Sequence, residues 1–211
     1  MFTLFYAPKT CARASHIALA ESGLPYRIQR LDFAGGEQRS PAYLAINPKG
    51  RVPALQTPRG ILTETPAILA FIAQSAPAAQ LAPLDDAFAF AQLQAFNSYL
   101  ASTVHVAHAH RTRGARWADD AAAQESMQRK VASNMRDCFE LIAAGMLQGP
   151  WVLGERYSVA DAYLYTIASW LPGDGVPLDT LPQIQAHQAR MEERPAVRKA
   201  LAEEAAGQVQ A

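Results

Sequence analysis

Two hydrophobic rhythms divide this chain of 211 residues, a mixed one over residues 1–77 and a helical one over residues 85–211. Phe2-Thr-Leu-Phe-Tyr6 alternates, is rich in aromatic residues and stops at Pro8, which predicts a strand. Thr10 suits the N-cap of a helix running to Ser22, with Gly23 and Pro25 closing it. Tyr26-Arg-Ile-Gln-Arg-Leu31 alternates again and predicts a second strand, parallel to the first across a βαβ crossover. Gly35-Gly36 and Ser40-Pro41 mark an irregular stretch. Val52–Gln56 and Gly60–Thr63 predict a hairpin turning at Pro58-Arg59-Gly60, and a further helix opens with Thr65 as N-cap and Pro66 in its first turn.

From Asp85 onward the strand signals vanish. Leu93, Phe96, Leu100, Val104 and Ala107 recur at three- and four-residue steps, as do Met127, Val131, Met135, Cys138, Ile142 and Gly145. Ser158-Val-Ala-Asp161 has the spacing of a capping box, and helices are expected over Leu181–Glu193 and Pro195–Ala205. The order βαβ, ββα and then five or so helices predicts an α/β thioredoxin-like domain at 1–77, a linker at 78–84 and an all-α domain at 85–211.

Composition narrows the function. Lys plus Arg equal Asp plus Glu at 19 each, no cationic run stands out along the chain, and nucleic acid is not an expected partner. No apolar run is long enough to span a membrane, and the N-terminus lacks the charged and apolar segments of a signal peptide. With only Cys11 and Cys138 there is no disulfide framework, so a reducing cytoplasm is the expected compartment.

Cys11 is the foremost candidate. A helix start beside Lys9 and Arg13 favours thiolate over thiol, so the thiol is expected to titrate below a free cysteine, whereas Cys138 falls on a core stripe. No second cysteine stands two residues away, so a partner thiol must come from another molecule. Val52-Pro53 follows the turn Asn47-Pro-Lys-Gly50; a trans turn proline and a cis bond turning the Val52 backbone outward to pair a peptide-like ligand are both open. Glu64-Thr65 at a helix start suits a ligand with a carboxylate for the N–H groups and an ammonium for Glu64. His105 shares a polar stripe with Ser98 and Ser102. The spacing of His105, His108 and His110 does not put them on one helix face, so no metal is expected, and His108 and His110 read as solvated or core-edge residues. Tyr6 ends the first strand, where a phenol is core or could donate to a thiolate.

Together these segments resemble the cytosolic glutathione transferases, in particular their bacterial beta class, over nearly the whole chain. Phe5–Gly23 resembles the opening strand and helix with the active-site cysteine, Asn47–Leu55 the cis-proline segment, Leu62–Leu69 the γ-glutamyl-binding turn, and Ser158–Leu164 the buried capping box. The resemblance implies glutathione as co-substrate, with its sulfur at Cys11 and His105, its cysteinyl backbone on Val52, and its γ-glutamyl end on Glu64 and Thr65. Ser98 stands where that class usually has asparagine, and Ala12 where serine is common. Gly36 falls where a lysine often meets the glycyl carboxylate, a contact Arg39 would supply instead. The resemblance further implies a homodimer and a small hydrophobic electrophile, lodged between the Tyr99–Arg113 and Tyr163–Trp170 segments. Conjugation of the glutathione thiolate to that electrophile, in detoxification, is the leading expectation. Thiol–disulfide exchange through Cys11 is the alternative, and a non-catalytic binding module the alternative of another class.

Overall fold

A computed structural model describes residues 1–207. Its sheet has four strands, β1 (Phe2–Tyr6), β2 (Tyr26–Arg30), β3 (Ala54–Thr57) and β4 (Gly60–Thr63), in the order β2-β1-β3-β4. β1 and β2 are parallel, with Leu4 opposite Ile28, and α1 (Ala12–Ser22) is the crossover between them. β3 runs antiparallel to β1 with Leu55 opposite Leu4, and the hairpin to β4 sets Leu55 against Leu62. α3 (Thr65–Ser75) packs beside α1, bringing Phe71 to the Phe2 ring, while the short α2 (Pro41–Ile46) sets Tyr43 against Phe5. The sheet is therefore covered on both faces, which is why Leu4, Phe5 and Tyr6 are all buried although their side chains alternate.

The α-helices that follow among the described residues are α4 (Ala87–Tyr99), α5 (His105–Ala109), α6 (Ala121–Arg129), α7 (Val131–Leu141), α8 (Val159–Ala168), α9 (Pro182–Glu193) and α10 (Pro195–Ala206). This is a thioredoxin-like domain followed by a helical domain. α8 is its axis, with all ten residues buried. Ile17 of α1 enters a cluster formed by Ala162, Tyr165, Met191, Val197 and Ala200, so the two domains share a core. Among the described residues no helix is long and apolar enough to cross a membrane.

Local sequence and structure differ at the starts of α1 and α3, at α2, and in β3, which begins at Ala54 rather than Val52. α1 begins at Ala12 rather than at an N-capping Thr10, because Lys9 adopts a left-handed conformation (φ 60°) and Cys11 takes the cap position. The Thr10 hydroxyl still ties this turn, donating to the Ala7 carbonyl at 2.7 Å and accepting from the Ala12 N–H at 3.4 Å. Glu64, also left-handed (φ 72°), precedes α3, so Thr65 is its first helical residue and not its cap. α2 was not expected: six residues are too few to show a helical period, yet Ser40 caps it by accepting from the Tyr43 N–H, and Pro41 opens it.

The Ser158–Asp161 capping box forms as its spacing indicates, and it does more than close a helix end. Asp161 is fully buried; its Oδ2 accepts from the Ser158 N–H at 2.8 Å, and its Oδ1 from the Val152 N–H at 2.7 Å, with His187 Nε2 at 3.1 Å. One carboxylate thus pins α8, the loop before it and α9. Asp161→Ala is expected to cost about 3 kcal/mol, since it removes a cap and strands buried N–H donors. At this size that corresponds to a melting temperature lower by roughly 6–12 °C. Circular dichroism measures it, and a fall below about 2 °C would show that the network does not hold the helix.

Candidate active site

The turn before Cys11 is held from both sides by the helical domain. The Lys9 N–H donates to Glu204 Oε1 at 2.8 Å, and the Lys9 carbonyl accepts from Trp170 Nε1 at 3.0 Å. Glu204 also takes the Arg13 guanidinium through Nη2 at 2.6 Å and Nε at 3.1 Å. Arg13 is thereby turned away from the thiol it was expected to influence. Cys11, 8% exposed, points its Sγ at the Val52 carbonyl, 3.5 Å away.

On the facing segment the Tyr43 hydroxyl and the Asn47 side-chain amide both donate to the Arg51 carbonyl at 2.7 Å, fixing the approach to Val52-Pro53, whose peptide bond is cis. Gly50 is required here: its φ is 59°, and a Cβ would meet the Gln38 carbonyl oxygen at 2.8 Å.

Cys11, Arg51, Val52, His105 and Arg116 are common to two compartments of one cleft between the domains. The first, of about 160 Å³, has Asn47, Pro53, Glu64 and Thr65 on the sheet side, and Val106, Trp117 and Tyr163 on the helical side. The second, of about 250 Å³, is bounded by Lys9, Thr10, Phe33, Arg39, His108, Arg113 and Trp170. A larger hollow near Pro83 and Arg156 lies beneath the interdomain segment and contains none of these residues.

The structure corrects the expected protonation of the site. Burial raises the Cys11 thiol above the ordinary range, against the opposing pull of the Thr65 hydroxyl and the Arg113 charge, so Cys11 is held as a thiol. His105 is pushed down to about 4, first by burial and then by His108, Arg113, Arg116 and Arg51. Near neutrality it is an uncharged imidazole. Its ring meets Trp170 edge-on at 5.0 Å.

Two of the expected residues do not reach the cleft. Ser98 is exposed on α4, its carbonyl accepting from the Ser102 hydroxyl at 2.8 Å. The physical reason is the π turn at Leu100–Val104, which winds an extra residue into the helix and breaks the expected stripe from Ser98 to His105. Tyr6 lies under α1 with its ring 6.1 Å from His16 and lines neither compartment; burial, and then Glu204, raise its phenol. Arg39 does line the cleft, while Gly36 sits at φ 77°, a conformation in which a lysine would be strained. Thr65 and Glu64 flank the first compartment, and the exposed Glu64 carboxylate pairs with Lys49.

Some residues of the site were not singled out from the sequence. His108 is no bystander: its ring stacks on Trp170 at 4.2 Å, and its Nδ1 lies 2.7 Å from Oδ2 of the buried Asp174. Arg51, Arg113 and Arg116 converge on the cleft from segments far apart in the chain, and Tyr163 of α8 closes it beside Thr65.

With this geometry, comparison with known proteins is specific. Residues 1–74 match the family model for the glutathione S-transferase N-terminal domain, and residues 109–204 that for the C-terminal domain. The chain is 33% identical to glutathione S-transferase GstA of Escherichia coli O157:H7, over 95% of this chain and 98% of that one. It is 31% identical to a maleylacetoacetate isomerase of Pseudomonas aeruginosa, over 92% of each. Among solved structures, a glutathione transferase homologue from Sulfitobacter with bound glutathione shares 46% identity and superimposes with a TM-score of 0.92, over 94% of this chain and 96% of that one. A bacterial beta class glutathione S-transferase of Sphingomonas chungbukensis shares 31% identity with a TM-score of 0.84, over 96% and 98%. The chain belongs to the glutathione S-transferase family and is a glutathione transferase.

The protonation states are directly measurable. The His105 ring resonances should stay constant from pH 8 down to about 5.5 and move only near about 4. Because the folded value lies below the ordinary 6.5, this ring's contribution to stability is complete above about 6.5 and is lost as the pH falls through about 4. Thiolate absorbance at pH 8 should be the same in the parent and Cys11→Ala. Titration of His105 near 6.5, or a thiolate signal at pH 8 that vanishes in Cys11→Ala, would contradict this assignment.

Proposed function

We propose that the protein conjugates the thiolate of glutathione to small electrophiles of largely hydrophobic body, as in detoxification. The observation that supports this best is the position of Cys11 at the junction of the two compartments, with Val52-Pro53 on one side and His105 on the other. In this reading the γ-glutamyl carboxylate meets the N-terminus of α3 at Thr65, and Glu64 accepts from the ammonium, exchanging its present partner Lys49 for it. The cysteinyl backbone lies along Val52, and the glycyl carboxylate reaches Arg39. The electrophile occupies the space against α5 and the Tyr163–Trp170 segment.

The chemistry follows from the charges. Arg51, Arg113 and Arg116 lower the cost of a thiolate on glutathione, and the Cys11 S–H and the neutral His105 N–H donate to it. A ring with a pKa of about 4 does not hold the thiol proton near neutrality, so that proton leaves to solvent. The thiolate sulfur then forms its bond to carbon as the leaving group departs with its electron pair. Thiol–disulfide exchange, in which Cys11 forms a mixed disulfide with glutathione, is the second reading, favoured by the cysteine itself. A departing thiolate in that reaction needs a proton that a neutral His105 does not carry, which ranks it second. The family also carries the expectation of a cytoplasmic homodimer, and light scattering at micromolar concentration measures the assembly directly.

Cys11→Ser separates the readings, since serine donates a hydrogen bond but forms no disulfide. Conjugation of 1-chloro-2,4-dinitrobenzene should fall less than about tenfold in Cys11→Ser and by roughly ten- to a hundredfold in Cys11→Ala, the value of one hydrogen bond to a charged sulfur. Reduction of the mixed disulfide of glutathione and mercaptoethanol should be slow in the parent and absent in both. Fast exchange in the parent, abolished together with conjugation by Cys11→Ser, would make exchange the principal activity.

A further inference from the structure

The second compartment holds more positive charge than glutathione needs. Lys9, Arg39, Arg51, Arg113 and Arg116 line it, and no acidic side chain does. Among the described residues none of these five forms a side-chain ion pair, although Arg111, next in sequence to the cleft, is paired with Asp174. Lys9, Arg39, Arg51 and Arg116 keep contact with solvent and Arg113 is half-buried. Arg116 is lowered from its ordinary range by burial and then by Arg113, Arg51 and Arg39, so the like charges are close enough to repel. Cations without acidic partners that converge on one concave space make an anion site.

Glutathione, as placed above, brings two carboxylates. One belongs at the N-terminus of α3, in the other compartment, and the second is met by Arg39. Arg113 and Arg116, from the segment after α5, line the cleft beside Cys11 together with the flat Trp170 and Phe33 rings, and Arg116 borders both compartments. We infer that the acceptor substrate is itself an anion, a small planar electrophile whose carboxylate is held by Arg113 and Arg116. This rests on the glutathione reading, and it changes the expected acceptor from a purely apolar compound to an apolar body with an acidic group. The same arginines that stabilise the sulfur anion would then orient the second substrate, so that binding energy is used to bring carbon to sulfur.

The test is a binding measurement that needs no turnover. The protein is saturated with S-methylglutathione, so that the carboxylate sites of glutathione are filled, and titrated calorimetrically with 3,5-dinitrobenzoate or with the uncharged 1,3-dinitrobenzene. The benzoate should bind at least about tenfold more tightly, the value of a charge-assisted contact. The preference should shrink as salt rises from about 0.05 to 0.5 M, and it should nearly disappear in Arg113→Gln/Arg116→Gln but persist in Arg129→Gln, a change on the exposed face of α6. Equal affinity for the two rings, or a preference untouched by the double substitution, would overturn the inference. If the double variant does not melt cooperatively, Arg113→Gln alone carries the comparison. If S-methylglutathione fails to bind, the glutathione reading falls, and the two rings compared on the free protein still decide the nature of the pocket.

Discussion

The site depends on one buried contact between the ends of the chain. Glu204, near the end of α10, takes both the Arg13 guanidinium and the Lys9 N–H. Lys9 is a left-handed non-glycine residue, a conformation that persists only where surrounding contacts over-determine it. Those contacts come from Glu204 and Trp170, both in the helical domain. The turn that carries Cys11 is therefore held from two sides, by the Thr10 hydroxyl within the thioredoxin-like domain and by Glu204 and Trp170 from the helical one. Removing Glu204 would leave Arg13 partly buried without its partner, so this pair is better understood as a device for positioning than as a source of net stability.

In the cleft, Cys11 and His105 are neutral and the charge is supplied from around them. Cys11 is a thiol because it is buried, His105 a free imidazole because it is buried among cations, and the positive field comes from arginines on both domains. Such an arrangement does not need a strong base. It favours an anion brought by a ligand, and it does so only when the domains are docked. The His108–Asp174 pair, stacked on Trp170, stiffens the wall opposite the sheet edge and links the second compartment to the indole that holds Lys9.

How far the sequence could be read follows from the range of each interaction. β1, β2, the hairpin and the Ser158–Asp161 box are local: alternation, a tight turn and a four-residue cap declare themselves. The order of these pieces was enough to indicate the fold, and the segments around Cys11, Val52-Pro53 and Glu64-Thr65 come together as walls of one compartment of the cleft. What was misread is non-local. Arg13 looks like a neighbour of the thiol along the chain, but its partner is 191 residues away. Arg113 and Arg116 sit in one short segment, His110-Arg-Thr-Arg-Gly-Ala-Arg116, but the chain has zero net charge, and only the docking of the domains brings Arg39 and Arg51 to them. Ser98 failed for a subtler reason: extrapolating a 3.6-residue period through Leu100–Val104 goes wrong when that turn is a π turn.

In the proposed conjugation the arginine field, rather than a basic side chain, makes the sulfur anion of glutathione. The direct measurement is the pH dependence of thiolate absorbance of glutathione bound to Cys11→Ser, with the ligand-free variant subtracted. The bound thiol should be half deprotonated at least about one unit below the ordinary cysteine value of about 8.5. The midpoint should move back toward it in the Arg113→Gln/Arg116→Gln background. A bound thiol that titrates at or above about 8.5 would show that the arginines do not make the anion.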